Sequence, residues 1–147
     1  MKKTNLHCQN FQKQLSRLKV DGYWVMHIPD LFYLSGYGAE GCWGLFGKQK
    51  AALIVPMLAV DQAKALAKGF DIIQMKKLGE VYGLVVDYAA KAGWKTVGYD
   101  PYHTPEAYVM GIRKASGKKL RWVATPGATT PLRVKKDSKE LDALRGA

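Results

Sequence analysis

The most constraining feature of this chain is an apolar stripe in which Val81, Leu84, Val85, Tyr88, Ala89 and Ala92 fall at i, i+3, i+4, i+7, i+8 and i+11. That spacing puts all six on one face of an α-helix, and Gly93 is the residue type that stops one. Strand-like segments bracket the stripe, Asp71 to Met75 before it and Thr96 to Tyr99 after it. Strand and helix therefore alternate here. Thr104-Pro105 predicts another helix, with the hydroxyl as cap and proline in the first turn, carrying Tyr108, Ile112 and Ala115 inward. Leu120 to Val123 reads as the last strand.

The first half has a different rhythm. Phe11, Leu15 and Leu18, with Lys and Arg between them, predict a surface helix over Asn10 to Lys19, ended by Asp21-Gly22. Tyr23 to Ile28 is aromatic and β-branched, a buried strand closed by Pro29, after which Asp30 can cap a short helical turn through Leu31 to Leu34. Cys42 to Phe46 and Ala51 to Val55 flank Gly47-Lys48-Gln49-Lys50, which suits a β-hairpin stopped by Pro56. Val60, Ala63 and Ala67 fall on a further helix. One hairpin followed by strand and helix alternation predicts an α/β domain, a mixed sheet of about six strands flanked by helices.

Composition supports one globular domain: 48% of the 147 residues are apolar, enough to exclude disorder. No apolar run approaches the roughly 20 residues a bilayer-crossing helix requires. The start, MKKTNLHCQNFQKQL, has no apolar stretch of the secretory kind. A cytoplasmic location and no membrane partner are expected. Cys8 and Cys42 are expected as free thiols. His7, His27 and His103 form no pair at metal-ligand spacing, so no metal site is expected in this chain, and His27 is expected as a hydrogen-bonded interior or rim residue.

The usual catalytic signatures do not occur. Gly36, Gly38, Gly41 and Gly44 fit neither phosphate-cradling pattern, and no GxSxG elbow presents Ser16, Ser35, Ser116 or Ser138 as a nucleophile. Nothing in the spacing of Glu40, Asp61, Asp87 and Asp100 forces carboxylates to converge. Charge is more informative, with 23 basic against 12 acidic residues, 23 − 12 = +11. From Arg113 to Lys136 there are eight basic residues (Arg113, Lys114, Lys118, Lys119, Arg121, Arg133, Lys135, Lys136) and no acidic one. Such a stretch could meet phosphates, yet it forms no compact run and carries no stacking platform beyond Trp122. A solvated face, or one docking an acidic neighbour, is the favoured reading, with a free-standing basic module for nucleic acid or an acidic protein as the alternative.

Several of these residues together resemble the amino-terminal domain of the creatinase, prolidase and Xaa-Pro aminopeptidase group, from about Phe11 to Ala147. Tyr33-Leu34-Ser35-Gly36-Tyr37 is similar to the family's Y-[LF]-[TS]-G-[FY] signature, and it precedes the hairpin ending Ala52-Leu53-Ile54-Val55-Pro56. The run from Arg133 to Leu141 resembles the R-x-x-K-[DS]-x-x-E-[IL] segment that leads into the catalytic domain. Where many relatives carry D-x-R-Y, this chain has Met57 to Ala63, with Gln62-Ala63 kept and Arg-Tyr replaced. Dipeptidase, aminopeptidase and non-peptidase relatives such as creatinase all stay open.

The resemblance implies a ribonuclease H-like architecture over residues 1–132 and, over 133–147, a linker and the start of a helix leading to a catalytic domain beyond this chain. It places the chemistry in that domain, on two divalent metal ions (Mn, Co or Zn), with no cofactor in this chain and no hydrolysis by it alone. Partners implied are that catalytic domain, a second copy in a homodimer or higher oligomer, and the parent's peptide substrate. The loop Tyr37 to Trp43 matches the segment that walls an active site, with Tyr37, Glu40 and Trp43 as substrate-wall candidates. Core packing is the competing reading for these three, and the favoured one for Tyr33, Leu34 and Phe46.

Overall fold

The computed structural model describes residues 3–128. Six strands form one mixed sheet: β1 (Gly22–Val25), β2 (Trp43–Gly47), β3 (Ala51–Pro56), β4 (Asp71–Met75), β5 (Thr96–Tyr99) and β6 (Arg121–Ala124), in the order β4-β3-β2-β1-β5-β6. The β2–β3 hairpin is antiparallel, as is the β1–β2 pair, whereas β1–β5, β3–β4 and β5–β6 are parallel. Five α-helices accompany it: α1 (Leu6–Gln14), α2 (Ile28–Ser35), α3 (Val60–Leu66), α4 (Val81–Ala92) and α5 (Glu106–Ser116). The expected hand-over at 133–147 lies outside the described residues.

Side chains alternate across a strand, so each central strand feeds two cores. Tyr23 and Val25 of β1, Phe46 of β2, and Leu53 and Val55 of β3 pack with Phe11, Leu31, Leu34 and Ala63 of α1, α2 and α3. Trp24, Leu45 and Ile54 point the other way, against Val81, Val85 and Ala89 of α4 and Val109 and Ile112 of α5. Burying each large apolar side chain contributes about 1.5–3 kcal/mol.

Helix α4 and strands β2 to β6 lie where expected to within a residue; the end of β1 and the ends of three other helices do not. Helix α1 starts earlier than Asn10, because Asn5 caps it by accepting from the Cys8 N–H at 2.8 Å, and it ends at Gln14 rather than Lys19. β1 stops at Val25, and Pro29, expected to close the strand, instead sits in the first turn of α2, where its missing N–H costs nothing. His27 occupies the cap position in place of Asp30. Pro105 is the cap residue of α5, and the Thr104 hydroxyl donates to the Asp100 carbonyl at 2.6 Å rather than capping. Val109, Ile112 and Ser116 are the inward residues of α5; Tyr108 and Ala115 are exposed. Both cysteines are free and buried, and burial pushes the Cys8 thiol up to about 11.

The backbone at the start of β1 is held by Asp21. Its Oδ2 accepts from the Lys95 and Thr96 N–H groups at 2.8 and 3.0 Å, and its own N–H donates to Thr96 O at 2.8 Å. These bonds, the Lys95 one foremost, hold its carboxyl below the ordinary 3.8 despite partial burial. Next to it, a Cβ on Gly22 would lie 2.5 Å from the ring carbons of the buried Trp94. We expect Gly22→Ala to lower stability by about 1–3 kcal/mol through forced displacement of that ring, read as a reduced urea midpoint with an unchanged slope. Because Asp21 titrates lower in the folded chain, its stabilisation is complete above the ordinary value and is lost as pH falls through the folded one. The stability gap between the parent chain and Asp21→Asn should therefore be widest at about pH 6 and shrink steadily as pH falls below the ordinary 3.8.

Candidate functional site

Loops at one end of the sheet hold most of the chemistry. They follow the carboxyl ends of β1, β3 and β5 and precede β2, whose direction is reversed. Such an end, where neighbouring connections diverge, is where α/β sheets leave a crevice.

The signature Tyr33 to Tyr37 is, physically, a helix stop. Gly36 ends α2 at φ +86°, a left-handed value, with its N–H donating to Phe32 O at 2.8 Å; a Cβ there would sit 2.9 Å from Leu66 O. Ser35 Oγ lies 2.6 Å from Leu31 O and 2.7 Å from Tyr37 O, and accepts the Tyr37 N–H at 3.1 Å. Asn5 Nδ2 donates to Leu34 O at 3.0 Å, tying α1 to the same turn. Leu34 and Phe46 are core, as favoured; Tyr33 is half-buried, its ring stacked on His7 at 4.1 Å. The chain then returns past α2, so close that a Cβ on Gly38 would meet Ile28 O at 2.7 Å, and reaches Pro56 beside Gly41.

The three wall candidates are not brought together. Tyr37 is 7% exposed and packs in the core beneath α1 and α2. Trp43 is 5% exposed and faces the opposite core, with ring centroids 5.0 Å from Trp24, 5.7 Å from Tyr82 and 5.6 Å from Tyr108. Glu40 alone is exposed. Of the four carboxylates considered from sequence, Glu40, Asp61 and Asp87 are exposed and separate, whereas Asp100 is buried at the end of β5.

A different group does converge. One ligand atom each from His27, Asp30 and His103 lie within 4.8 Å of one another, and the two imidazoles stack at 3.8 Å with an interplanar angle of 26°. His103 Nδ1 is 3.0 Å from Asp100 Oδ2, while Asp100 Oδ1 accepts the Tyr102 N–H at 2.9 Å. Asp30 is 2% exposed. Tyr23 lines the same small pocket, and its phenol is pushed well up by burial first, then by Asp100 and Asp30, with the Thr125 hydroxyl 3.0 Å away opposing this. Spacing could not reveal this group, since His103 lies 73 residues after Asp30 and 76 after His27 (103 − 30 and 103 − 27). The available signal was position: His27 lies near the end of one predicted strand and Asp100 just after another, and β1 and β5 are parallel neighbours.

The family described as the Creatinase/Prolidase N-terminal domain matches residues 7–135. The chain belongs to that family. Among solved structures, the Xaa-Pro dipeptidase from Bacillus anthracis superposes with a TM-score of 0.86 at 19% identity, over 96% of this chain and 39% of that one. The prolidase from Pyrococcus horikoshii OT3 gives 0.77 at 21% identity, over 94% of this chain and 38% of that one. The N-terminal domain of the cytoplasmic peptidase PepQ from Mycobacterium tuberculosis H37Rv gives 0.78 at 19% identity, over 88% and 100%. A creatinase/prolidase N-terminal domain thus spans about two fifths of the length of the dipeptidase it resembles. No curated protein sequence matches it. Among the described residues of this domain, no helix is long and apolar enough to cross a membrane.

The burial of the wall candidates predicts unequal costs of substitution. Trp43→Ala should lower stability by about 3–5 kcal/mol, as for other buried large aromatics, whereas Glu40→Gln should stay within about 0.5 kcal/mol of the parent. Chemical denaturation of the two variants checks this.

Proposed function

We propose that this chain is the non-catalytic N-terminal domain of an Xaa-Pro aminopeptidase or dipeptidase, whose loop end packs on a catalytic domain and helps wall its active site. The observation that carries the reading is the family match over residues 7–135, on a fold shared with an Xaa-Pro dipeptidase and a prolidase. An apolar rim supports the placement: Met57 and Leu58 after β3 are 65% and 96% exposed, and Tyr102 after β5 is 78% exposed. Exposed side chains of this kind gathered at one end suit a surface covered by a partner. Glu40 at that rim would offer a carboxylate to a substrate amino group, while Tyr37 and Trp43 shape the wall from beneath by fixing the loop between them. The parent's hydrolytic chemistry would rest on two divalent ions (Mn, Co or Zn) in the catalytic domain, which polarise the peptide carbonyl and activate water. A cytoplasmic homodimer or higher oligomer is the expected assembly.

Basic residues favour no contrary reading at this end. Arg113, Lys114, Lys118, Lys119 and Arg121 are exposed where α5 ends and β6 begins, away from the apolar rim. Arg133, Lys135 and Lys136 lie outside the described residues.

The 147-residue chain, supplied with Mn²⁺ or Co²⁺ and Xaa-Pro dipeptides or longer Xaa-Pro peptides, should release no amino acid. A protein extended by the coding sequence that follows Ala147 should turn them over, and Leu58→Glu in that protein should lower kcat/KM by about tenfold, equivalent to about 1.4 kcal/mol. Turnover by the chain alone, or tight duplex DNA binding by it that falls steeply with salt, would overturn the proposal.

A further inference from the structure

Beyond that reading, and independently of it, the loop end carries a group built like a metal centre. We propose that His27, Asp30 and His103 bind one Zn²⁺ ion, with Asp100 orienting His103.

The donor set is the first reason. Two imidazoles and one carboxylate are ligands that Zn²⁺ takes readily, and three protein ligands leave a fourth position for water. Mg²⁺ and Ca²⁺ prefer all-oxygen shells, so the histidines select against them. The second reason is the outer partner. A carboxylate oxygen only accepts, so the Asp100 contact at 3.0 Å places the proton of His103 on Nδ1 and the lone pair on Nε2. That is the carboxylate–histidine arrangement that fixes the tautomer and raises the basicity of a ligating imidazole. Asp100 is itself held, by the Tyr102 N–H on Oδ1 at 2.9 Å.

Burial is the third. Asp30 is 2% exposed and lines the same small pocket as His27 and His103, so the three ligand atoms face a space largely shielded from solvent. His27 caps α2, whose N-terminal dipole opposes a cation; Asp30 in its first turn and Asp100 across the pocket counter that field. Finally, the room is right. The pocket has a volume of about 10 Å³ for water-sized occupants, enough for one small ion or water rather than an organic ligand. Ligand atoms within 4.8 Å must close to about 3.3 Å for tetrahedral bonds of about 2.0–2.1 Å. The imidazole planes, stacked at 3.8 Å and 26°, must tilt apart for both lone pairs to meet one ion, and His103, 42% accessible on its loop, can do so by pivoting about its Nδ1 contact to Asp100.

The test uses the untagged 147-residue chain, titrated with Zn²⁺ by calorimetry and followed by ¹⁵N correlation spectra of the imidazoles. One equivalent should bind, shifting the ring nitrogens of His27 and His103 while those of His7 stay in place. His103→Gln should weaken binding by at least about tenfold, and Asp100→Asn by about 10–100-fold. His7→Gln should bind like the parent. His103→Gln, altered at an exposed position, should keep the parent's thermal midpoint in the presence of chelator, which separates lost binding from lost folding. No saturable uptake, shifts confined to His7, or unchanged affinity in His103→Gln would each overturn the proposal.

Discussion

Strand β1 is the constraint on which the remaining structure depends. It lies between an antiparallel neighbour, β2, and a parallel one, β5, and all four of its residues are buried. A strand buried on both faces must have helices on both sides. Tyr23 and Val25 therefore call for α1 and α2, and Trp24 for α4 and α5. A slip of one residue would exchange the two faces, so the alternation also sets the register of the hairpin that follows. Glycine appears where a covering ring leaves no room, as at Gly22 under Trp94.

The same arrangement separates the two ends of the sheet chemically. At one end lie the helix stop at Gly36, the loop to Trp43, the imidazole and carboxylate group, and an exposed apolar rim. At the other lie Asp21, the hairpin turn with Lys48 and Lys50, and the ends of α4 and α5 with their lysines and arginines. Positive charge thus collects at the hairpin turn and the ends of α4 and α5. A domain with these two ends can dock by the apolar one while the charged one stays solvated.

Much of the fold was legible in the amino-acid order. The α4 stripe, the limits of β4 and β5 and the hairpin could be read from period and turn chemistry alone, because each is decided by neighbours within a few residues. Helix starts are less legible. Sequence alone does not decide whether Pro29 ends a strand or opens a helix, or whether the Thr104 hydroxyl caps α5 or bonds elsewhere. Pro29 could enter α2 because its first turn needs no N–H there, and the Thr104 hydroxyl had the Asp100 carbonyl within reach.

The functional reading divides along a similar line. By itself the sequence determined the family and the order of strands and helices, since both rest on short-range pattern: the run Tyr33 to Tyr37, and the apolar runs and helical stripe between turn residues. Only the tertiary structure decided that Tyr37 and Trp43 lie in opposite cores, because the side of the sheet on which a loop residue is buried depends on where the chain re-enters it. Likewise, His27 and His103 meet because β1 and β5 are parallel neighbours whose ends rise together, a relation created by strand pairing across 75 residues and invisible to any local spacing rule (97 − 22 = 75 for the Gly22–Val97 pair).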